Sequence, residues 1–247
     1  MPFAESEITF MMAVYGQPLM MKKWWETIRT YDDEVLDRLH FVLVDDHGDP
    51  PAKIPDDIKA MVHTHLFRVT QQIHWNQMGA RNLGMAKAPT DWVVMMDPDM
   101  VVELPVAKRL LKVLPNMEPG FVLKLFLRYT NDVADGSSPN IYVMHRLDFE
   151  RMGGYDEDYA GNKGWSDVQF MHTLEGFKIK MLKYPNLWVR YYRSKDIKDA
   201  TVITLSRDVR INKMLHLRKM AQMKKMGAPK FIRQRKPNLR FSWKRVT

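Results

Sequence analysis

Two aspartates, Asp97 and Asp99, follow the apolar run 92–96 and are separated by Pro98. Five consecutive apolar residues predict a strand buried on both faces, and Pro98 ends it because proline cannot donate a ladder hydrogen bond. Both carboxylates then lie at the carboxyl end of a strand, where ligands bind in open α/β sheets. Paired oxygen donors suit Mg²⁺ or Mn²⁺ carrying a phosphate, so we predict a metal site for a nucleoside diphosphate substrate.

Strands and helices alternate before this motif, as judged from the spacing of apolar residues. We predict strands at 8–15, 41–44, 66–69 and 92–96, and helices at 18–28 and 76–88. Because parallel strands share one carboxyl edge, Asp45 and Asp46, which end the second strand, are expected beside Asp97 and Asp99. The predicted fold class is α/β, with a mostly parallel sheet flanked by helices.

The composition limits the possible classes of protein. The chain has 247 residues, 45% of them hydrophobic, and no cysteine. This length supports one substantial α/β domain or two small ones, and the lack of cysteine excludes disulfides, thiolate zinc sites and a cysteine nucleophile. The longest apolar runs are about half of a membrane span, and the acidic amino terminus lacks the basic start of a signal peptide. We therefore expect a soluble, cytoplasmic protein.

The formal net charge of +9 is concentrated at the carboxyl end. Residues 209–247 contain thirteen Lys or Arg and no Asp or Glu, so the remaining chain is net acidic. We predict a basic helix at 210–226 and an extended tail beyond Pro229 that is ordered only with a partner. Such a segment favours a polyanion, either nucleic acid, an anionic membrane or an acidic polymer. A solvated tail that only aids solubility is the alternative.

Five motifs follow one another along the chain. They are Asp45-Asp46-His47-Gly48, Gly79-Ala80-Arg81-Asn82-Leu83-Gly84, Asp97-Pro98-Asp99, Gly153-Gly154-Tyr155-Asp156-Glu157 and Gly164-Trp165-Ser166-Asp167. Their order resembles that of family 2 glycosyltransferases with the GT-A (Rossmann-like) fold, over about residues 8–185. A second Asp-x-Asp at 156–158 receives no metal role. The resemblance divides the chain into a catalytic domain at 1–208, with a nucleotide-sugar half at about 1–104 and an acceptor half at about 105–208, and a basic segment at 209–247.

The resemblance implies a nucleotide-sugar donor, most simply a UDP-sugar, bound with Mn²⁺ or Mg²⁺. It assigns Asp45 or Asp46 to the nucleobase or ribose, Arg81 to the nucleotide, Asp99 to the metal, and Asp97 to the ribose or metal. Arg81 pairing only with an acid and Asp45 capping a turn remain the structural alternatives.

The resemblance also assigns the catalytic base to Asp167, which would deprotonate the acceptor hydroxyl and give inversion. Ser166 replaces the Glu that the family often has there. The alternative is that Asp167 only caps the helix predicted at 168–176. Gly153, Gly154 and Trp165 are expected to shape the sugar pocket, or else to form a turn and a core contact.

Two departures from the family pattern concern the donor site. The first strand ends in Tyr15-Gly16-Gln17 instead of a Pro-Thr-Tyr-Asn type of sequence, and Tyr15 is the donor contact we assign there. No metal-binding His follows Trp188 at the usual place. We leave open whether the substitutes are His172 or His216, Arg190 or Arg193, or water.

The basic segment is the sequence feature that bears on the acceptor. Its cations are interleaved with aromatic residues, as expected where phosphates are neutralised and rings stack on bases. The residues assigned to polyanion binding are Lys224, Lys225, Lys230, Arg233, Arg235, Lys236, Arg240, Trp243, Lys244 and Arg245. We predict transfer to hydroxymethylated bases of DNA, as in phage DNA-modifying enzymes, located in the host cytoplasm if the source is viral. A lipid or glycan acceptor at a membrane surface is the first alternative, and a non-catalytic polyanion-binding module is the second. No obligate protein partner is inferred.

Overall fold

The computed structural model describes residues 7–137, 140–193, 197 and 208–247. The strands are β1 (Ile8–Val14), β2 (Leu39–Asp45), β3 (His63–Val69), β4 (Trp92–Met96), β5 (Met100–Val102), β6 (Phe121–Tyr129), β7 (Ala134–Ser137), β8 (Tyr142–His145), β9 (Lys180–Tyr191) and β10 (Trp243–Arg245). The α-helices are α1 (Pro18–Ile28), α2 (Asp33–Leu36), α3 (Asp56–Met61), α4 (Gln77–Lys87), α5 (Leu104–Val113), α6 (Arg146–Arg151), α7 (Ser166–Gly176), α8 (Arg210–Met226) and α9 (Ala228–Arg233).

One mixed sheet runs through the molecule in the strand order β10-β3-β2-β1-β4-β8-β6-β9-β5, with β7 beside β6. The block β3-β2-β1-β4 is parallel throughout. Beyond it, β8 pairs antiparallel with β4 and β6, while β6 and β9 are parallel. The α/β class and the parallel arrangement around the aspartate motifs are confirmed. The carboxyl ends of β1, β2 and β4 therefore share one edge.

The sheet is covered by helices on both faces. All seven residues of β1 are buried, and successive side chains point to opposite faces. Phe10 packs on one face against Trp24 of α1, with ring centroids 6.2 Å apart. Met11 belongs to the cluster on the other face, which α4 and α7 complete with Leu83 and Phe170. Burial on both faces explains why this strand reads as a continuous apolar run.

The basic carboxyl-terminal segment is folded onto this core. We expected an extended chain beyond Pro229, and this prediction is wrong, because α9 forms there and β10 pairs antiparallel with β3. The cause is apolar burial, since Phe231 and Phe241 are only 5% and 9% exposed. The segment is thus ordered within the chain itself. None of the helices in the described part of the chain is long and apolar enough to span a membrane.

Candidate active site

A cleft opens at the shared carboxyl edge of β1, β2 and β4. Its volume is about 180 Å³. The lining residues are Ala13, Val14, Tyr15, Gln17, Asp46, Trp75, Gln77, Asp97, Pro98 and Asp99. The strand ends thus bring together Tyr15, Asp46, Asp97 and Asp99, as the sequence predicts.

Asp97 is held by three side chains from two parts of the chain. Its Oδ1 accepts hydrogen bonds from Gln77 Nε2 and Arg81 Nη2, both at 2.5 Å. Its Oδ2 accepts a hydrogen bond from Asn140 Nδ2 at 2.9 Å. Because both oxygens already have donors, the carboxylate is fixed in position at the end of β4. A metal-ligand role for Asp97 stays a prediction.

Arg81 joins the Asp97 side of the site to Asp167. Its side chain is 1% exposed, and its Nη1 donates to Asp167 Oδ1 and to the Tyr155 hydroxyl, each at 2.7 Å. Tyr155 in turn donates to Asp167 Oδ1 at 3.1 Å. Burial alone would lower the pKa of Arg81, but the negative charges of Asp97 and Asp167 help to raise it well above its ordinary value. Arg81 is therefore a permanent buried cation between two carboxylates.

Asp99 has an oxygen that is free to bind a ligand. Its Oδ1 is buried and has no hydrogen-bond partner among the described residues. Burial and the neighbouring charge of Asp97 together raise the pKa of Asp99 to about 7, against the lowering effect of Arg81. A buried carboxylate oxygen without a donor costs free energy unless a ligand compensates it, and a hard divalent cation fits this need. In the part of the chain that the structure describes, no group of three or more His, Asp or Glu side chains is arranged to hold a metal ion.

Asp45 and Asp46 occupy different surroundings although they are adjacent. Asp45 does not line the cleft. Arg68 pairs with its Oδ2, and the Gly48 backbone N–H donates to its Oδ1 at 2.7 Å. The turn-capping alternative for Asp45 is thus what the structure contains. Asp46 lines the cleft and accepts from Asn76 Nδ2 at 2.8 Å. Burial raises the pKa of Asp46 to about 7, against the effect of Asn76.

Asp167 lies in the first turn of α7, with its side chain 25% exposed. The helix begins at Ser166, and the N-cap position is occupied by Trp165, whose φ of 68° is left-handed. Asp167 is therefore not the cap that the alternative interpretation required. Its carboxylate points instead to Arg81 and Tyr155, which leaves it next to the metal-binding candidates.

The glycine pair Gly153-Gly154 lies outside the catalytic cleft. Both residues have positive φ, at 71° and 61°, and they line a separate cleft with Arg235 and Lys236. A donor-binding role for the two glycines stays a prediction.

Four residues are candidates for a further metal ligand or counter-charge: His172, His216, Arg190 and Arg193. In the structure each of them contacts other residues. The ring of His216 lies 4.9 Å from that of Trp165 in a tilted arrangement, and its Nδ1 is 3.5 Å from the Tyr159 hydroxyl. His172 pairs with Glu175, Arg190 with Glu103 and Asp132, and Arg193 lies over the Tyr129 ring.

The acidic turn 156–158 is bound by the carboxyl-terminal segment. Lys219 Nζ donates to Asp156 Oδ2 and Asp158 Oδ2, both at 2.6 Å, and Arg240 Nη2 donates to Asp158 Oδ1 at 2.8 Å. Arg235 Nη2 donates to the Tyr155 carbonyl at 2.6 Å. Lys219, Arg235 and Arg240 are thus used within the protein. They hold the turn directly after Tyr155.

The residues assigned to polyanion binding separate into two groups. Arg235 and Arg240 have the internal partners given above, and Trp243 packs against Phe67 at 5.9 Å and under Lys87. The others are exposed: Lys224, Lys225, Lys230, Arg233, Lys236, Lys244 and Arg245. Their binding role stays a prediction.

Sequence reasoning missed three polar residues around the catalytic carboxylates. Gln77 precedes Arg81 by one helical turn, and this spacing could have revealed that both reach Asp97. Asn140 lies in a polar loop and carries no comparable signal. Lys124 on β6 is 5% exposed, with its ammonium 3.7 Å from the centre of the Tyr142 ring. Burial lowers the pKa of Lys124 to about 7, against the attraction of Asp167 and Asp97.

The parallel strands and the aspartates at their carboxyl ends are typical of α/β proteins that bind ligands at this edge, and comparison with known proteins identifies the family. The model of the family described as Glycosyl transferase family 2 matches residues 9–183, which is more than half of the chain. The chain therefore belongs to glycosyl transferase family 2, as its motifs predict. No curated protein sequence matches it significantly.

Solved structures with the same fold share little sequence with the chain. A mannosyltransferase, PcManGT from Pyrobaculum calidifontis in complex with GDP-Man and Mn²⁺, is 16% identical with a TM-score of 0.56 over 76% of this chain and 57% of that one. GalNAc-T7 with UDP, GalNAc and Mn²⁺ is 13% identical, with a TM-score of 0.53 over 77% and 45%. S. aureus TarS 1–349 in complex with UDP-GlcNAc is 8% identical, with a TM-score of 0.61 over 89% and 73%. The chain thus spans about half the length of the first two proteins.

Proposed function

We propose that the protein transfers a sugar from a nucleotide-sugar donor to a hydroxyl acceptor. In this proposal Asp99 binds a divalent metal, and Asp167 is the general base. The observation that carries this proposal is the pairing of Asp97 and Asp167 through Arg81, beside the unpartnered oxygen of Asp99. Arg81 thus connects the strand end at Asp97, which lines the cleft, with a carboxylate of α7. The neighbouring structures that carry Mn²⁺ and nucleotide sugars support the same assignment.

The transfer requires one proton acceptor and one leaving group. Asp167 takes the proton of the acceptor hydroxyl while the acceptor oxygen bonds to the anomeric carbon of the sugar. The bond from that carbon to the diphosphate oxygen breaks, and the nucleoside diphosphate leaves with the electron pair. Attack opposite the leaving group inverts the anomeric configuration. Tyr155 and Arg81 hold Asp167 in place for this step.

The metal is expected to be Mn²⁺ or Mg²⁺, bound by Asp99. Asp97 binds either the same metal or the ribose of the donor. When bound, it offsets the negative charge that develops on the diphosphate. The donor would supply further oxygen ligands, as is usual for Mg²⁺ sites with one or two carboxylates. The sequence prediction of a UDP-sugar is kept, with a GDP-sugar as the other candidate. Asp46 and Tyr15 are positioned in the cleft to contact the nucleoside.

Two acceptor classes were predicted, hydroxymethylated DNA bases and a lipid or glycan at a membrane surface. The exposed lysines and arginines of the carboxyl-terminal segment suit either class. DNA binding by base stacking would also use the aromatic rings of the segment. Phe231 and Phe241 are buried in the core, so they are not available for stacking, which favours the surface-bound acceptor.

Calorimetric titration of the protein with UDP and GDP, with and without Mn²⁺, tests the donor and metal assignments. We expect one nucleotide to bind more tightly with Mn²⁺, and Asp99→Asn to remove that gain. Asp91→Asn, which changes an exposed aspartate just before β4, is the matched control and should bind like the parent protein. Binding that ignores Mn²⁺, or an Asp99→Asn variant that keeps the full gain, would contradict the proposal. A nucleotide-binding module without turnover would pass this test and fail the turnover measurement below.

A further inference from the structure

Helix α8 exposes three of its apolar residues, while three of its polar residues are buried together with Met223. Its buried positions include Asn212, His216 and Lys219, all less than 7% exposed. Ile211, Met214 and Leu217 recur every three residues and are 59%, 67% and 53% exposed. A surface helix ordinarily has the opposite arrangement, because burial of apolar area stabilises the fold. We call Ile211, Met214 and Leu217 the α8 ridge.

The polar face of α8 is inward because it binds the loop before α7. Asn212 Nδ2 donates to the carbonyls of Tyr159, Asn162 and Gly164, at 3.0, 2.7 and 3.0 Å. Lys219 on the same face binds the acidic turn 156–158. These polar contacts fix the rotation of the helix and thereby direct the ridge outward. Exposure of the ridge is therefore built into the fold.

The surroundings of the α8 ridge are basic. Lys213 and Arg218 are exposed beside it, Lys224 and Lys225 are exposed at the end of the helix, and α8 contains no Asp or Glu. Apolar side chains flanked by lysine and arginine are the combination by which helices bind the headgroup region of an anionic bilayer. A charged groove for nucleic acid would instead combine the cations with polar or stacking side chains. The ridge offers neither.

The inward face of α8 contacts the residues that precede Asp167. Asn212, the residue after Ile211, binds the carbonyl of Gly164, and the ring of His216 lies 4.9 Å from that of Trp165 in a tilted arrangement. Gly164 and Trp165 directly precede the first turn of α7, which carries Asp167. The helix that carries the ridge is therefore packed against the segment that leads to the carboxylate proposed to receive the acceptor proton.

We propose that the α8 ridge docks on an anionic lipid surface, so that the acceptor is a hydroxyl-bearing molecule held at that surface. The docking rests on the contacts and charges of α8 alone. The identity of the acceptor rests in addition on the proposed glycosyl transfer.

Flotation of the full-length protein with vesicles of phosphatidylglycerol and phosphatidylcholine tests the docking. We expect binding that grows with the phosphatidylglycerol fraction and weakens with salt. The triple variant Ile211→Ser, Met214→Ser, Leu217→Ser should bind about tenfold or more weakly. Leu19→Ser, Val133→Ser, Leu147→Ser removes three side chains of similar exposure elsewhere and should bind like the parent protein.

A charge-reversal pair separates the electrostatic part of the docking. Lys213→Glu with Arg218→Glu should weaken binding to anionic vesicles, whereas Lys22→Glu with Lys112→Glu, which changes two exposed lysines on α1 and α5, should not. Thermal unfolding of every variant checks that it is folded. No donor or metal is needed, so failure of the glycosyltransferase proposal leaves this result intact.

Three results would overturn the docking proposal. The first is a parent protein that does not float with anionic vesicles, and the second is a folded ridge variant that floats as well as the parent. The third is a ridge variant that binds vesicles like the parent protein but differs from it only in self-association or only in binding to duplex DNA. In that case a second copy of the chain or a nucleic acid, respectively, would be the occupant.

Discussion

Arg81 links the two chemical tasks of the site. One guanidinium contacts Asp97, which sits beside the metal candidate Asp99, and also contacts Asp167, the base candidate. The contact to Asp167 crosses 86 positions of sequence, so it fixes the distance between two separate elements. A planar guanidinium with several N–H donors can serve two carboxylates at once, which an ammonium group does less well. The residue therefore positions both acids, and its burial makes it costly to replace.

Two substitutions of Arg81 should distinguish the effect of its positive charge from the effect of its planar guanidinium group. Arg81→Met leaves two carboxylates without their buried cation, and we expect a loss of about 3 to 5 kcal/mol in the free energy of unfolding together with loss of turnover. Arg81→Lys keeps the charge and should recover part of the stability but little of the turnover. Urea unfolding and donor turnover measure the two effects. An Arg81→Met variant as stable and as active as the parent protein would refute this role.

At the scale of elements, the acidic turn 156–158 and the carboxyl-terminal helices form one unit. The turn separates Tyr155 from α7, and Lys219, Arg235 and Arg240 bind it from outside. Three carboxylates in sequence would repel one another without these cations. The turn therefore depends on residues more than sixty positions away along the chain. Lys219, Arg235 and Arg240 are therefore not free for an external polyanion.

The ion pairs of Asp158 should make the free energy of unfolding depend on pH. Burial raises the pKa of Asp158, but Lys219 and Arg240 outweigh burial and lower it to about 2. Because the folded pKa is below the unfolded one, Asp158 stabilises the fold above the unfolded pKa and loses this effect as the pH falls through about 2. Asp158→Asn should thus be less stable than the parent protein near pH 6 and approach it near pH 2. Urea unfolding across this range, with Asp91→Asn as control, measures the difference, and a gap independent of pH would contradict the assignment.

At the scale of the whole molecule, the chain ends by completing its own sheet. Strand β10 lies at the edge beside β3, with Trp243 opposite Val69 and Arg245 opposite Phe67. Phe241, just before this strand, packs on α4 so closely that a Cβ at Gly79 would lie 2.5 Å from its ring. Helix α4 carries Gln77 and Arg81 into the active site. The carboxyl-terminal segment thus supports the helix that positions the catalytic acids.

Phe241→Ala tests this support directly. Removal of a buried ring from the core should lower the free energy of unfolding by about 3 to 5 kcal/mol. Turnover should fall as well if the variant remains folded at the assay temperature, because α4 loses its packing partner near Arg81. Phe126→Ala, which changes a partly exposed ring on β6, is the control for removal of a phenyl group. An unchanged free energy of unfolding for Phe241→Ala would mean that the segment is an independent tail.

The sequence predicted local elements well and long-range pairings poorly. The apolar run before Asp97 and the basic periodicity of α8 are local patterns, and both elements form with the expected bounds or close to them. The rotation of α8 depends on carbonyl groups at 159–164, which no pattern within the helix encodes. Likewise, β10 is a strand of three residues whose formation depends on the free edge of β3. Asp97 directly follows β4 and Asp167 lies in the first turn of α7, so local patterns mark both positions. The hydrogen-bond donors to Asp97 come from a helix and a loop, which no local pattern connects with it.

The most direct test of the central claim is release of nucleoside diphosphate from a panel of UDP- and GDP-sugars with Mn²⁺. The acceptors offered are hydroxymethylated DNA and vesicles of phosphatidylglycerol with diacylglycerol, and products are read by mass spectrometry. We predict turnover of at least one donor with a sugar-sized mass gain on one acceptor. Asp99→Asn and Asp167→Asn should each reduce the rate by about a hundredfold or more, while Asp91→Asn should not. No turnover of any donor by folded protein, or equal rates in the Asp167→Asn variant, would contradict the account.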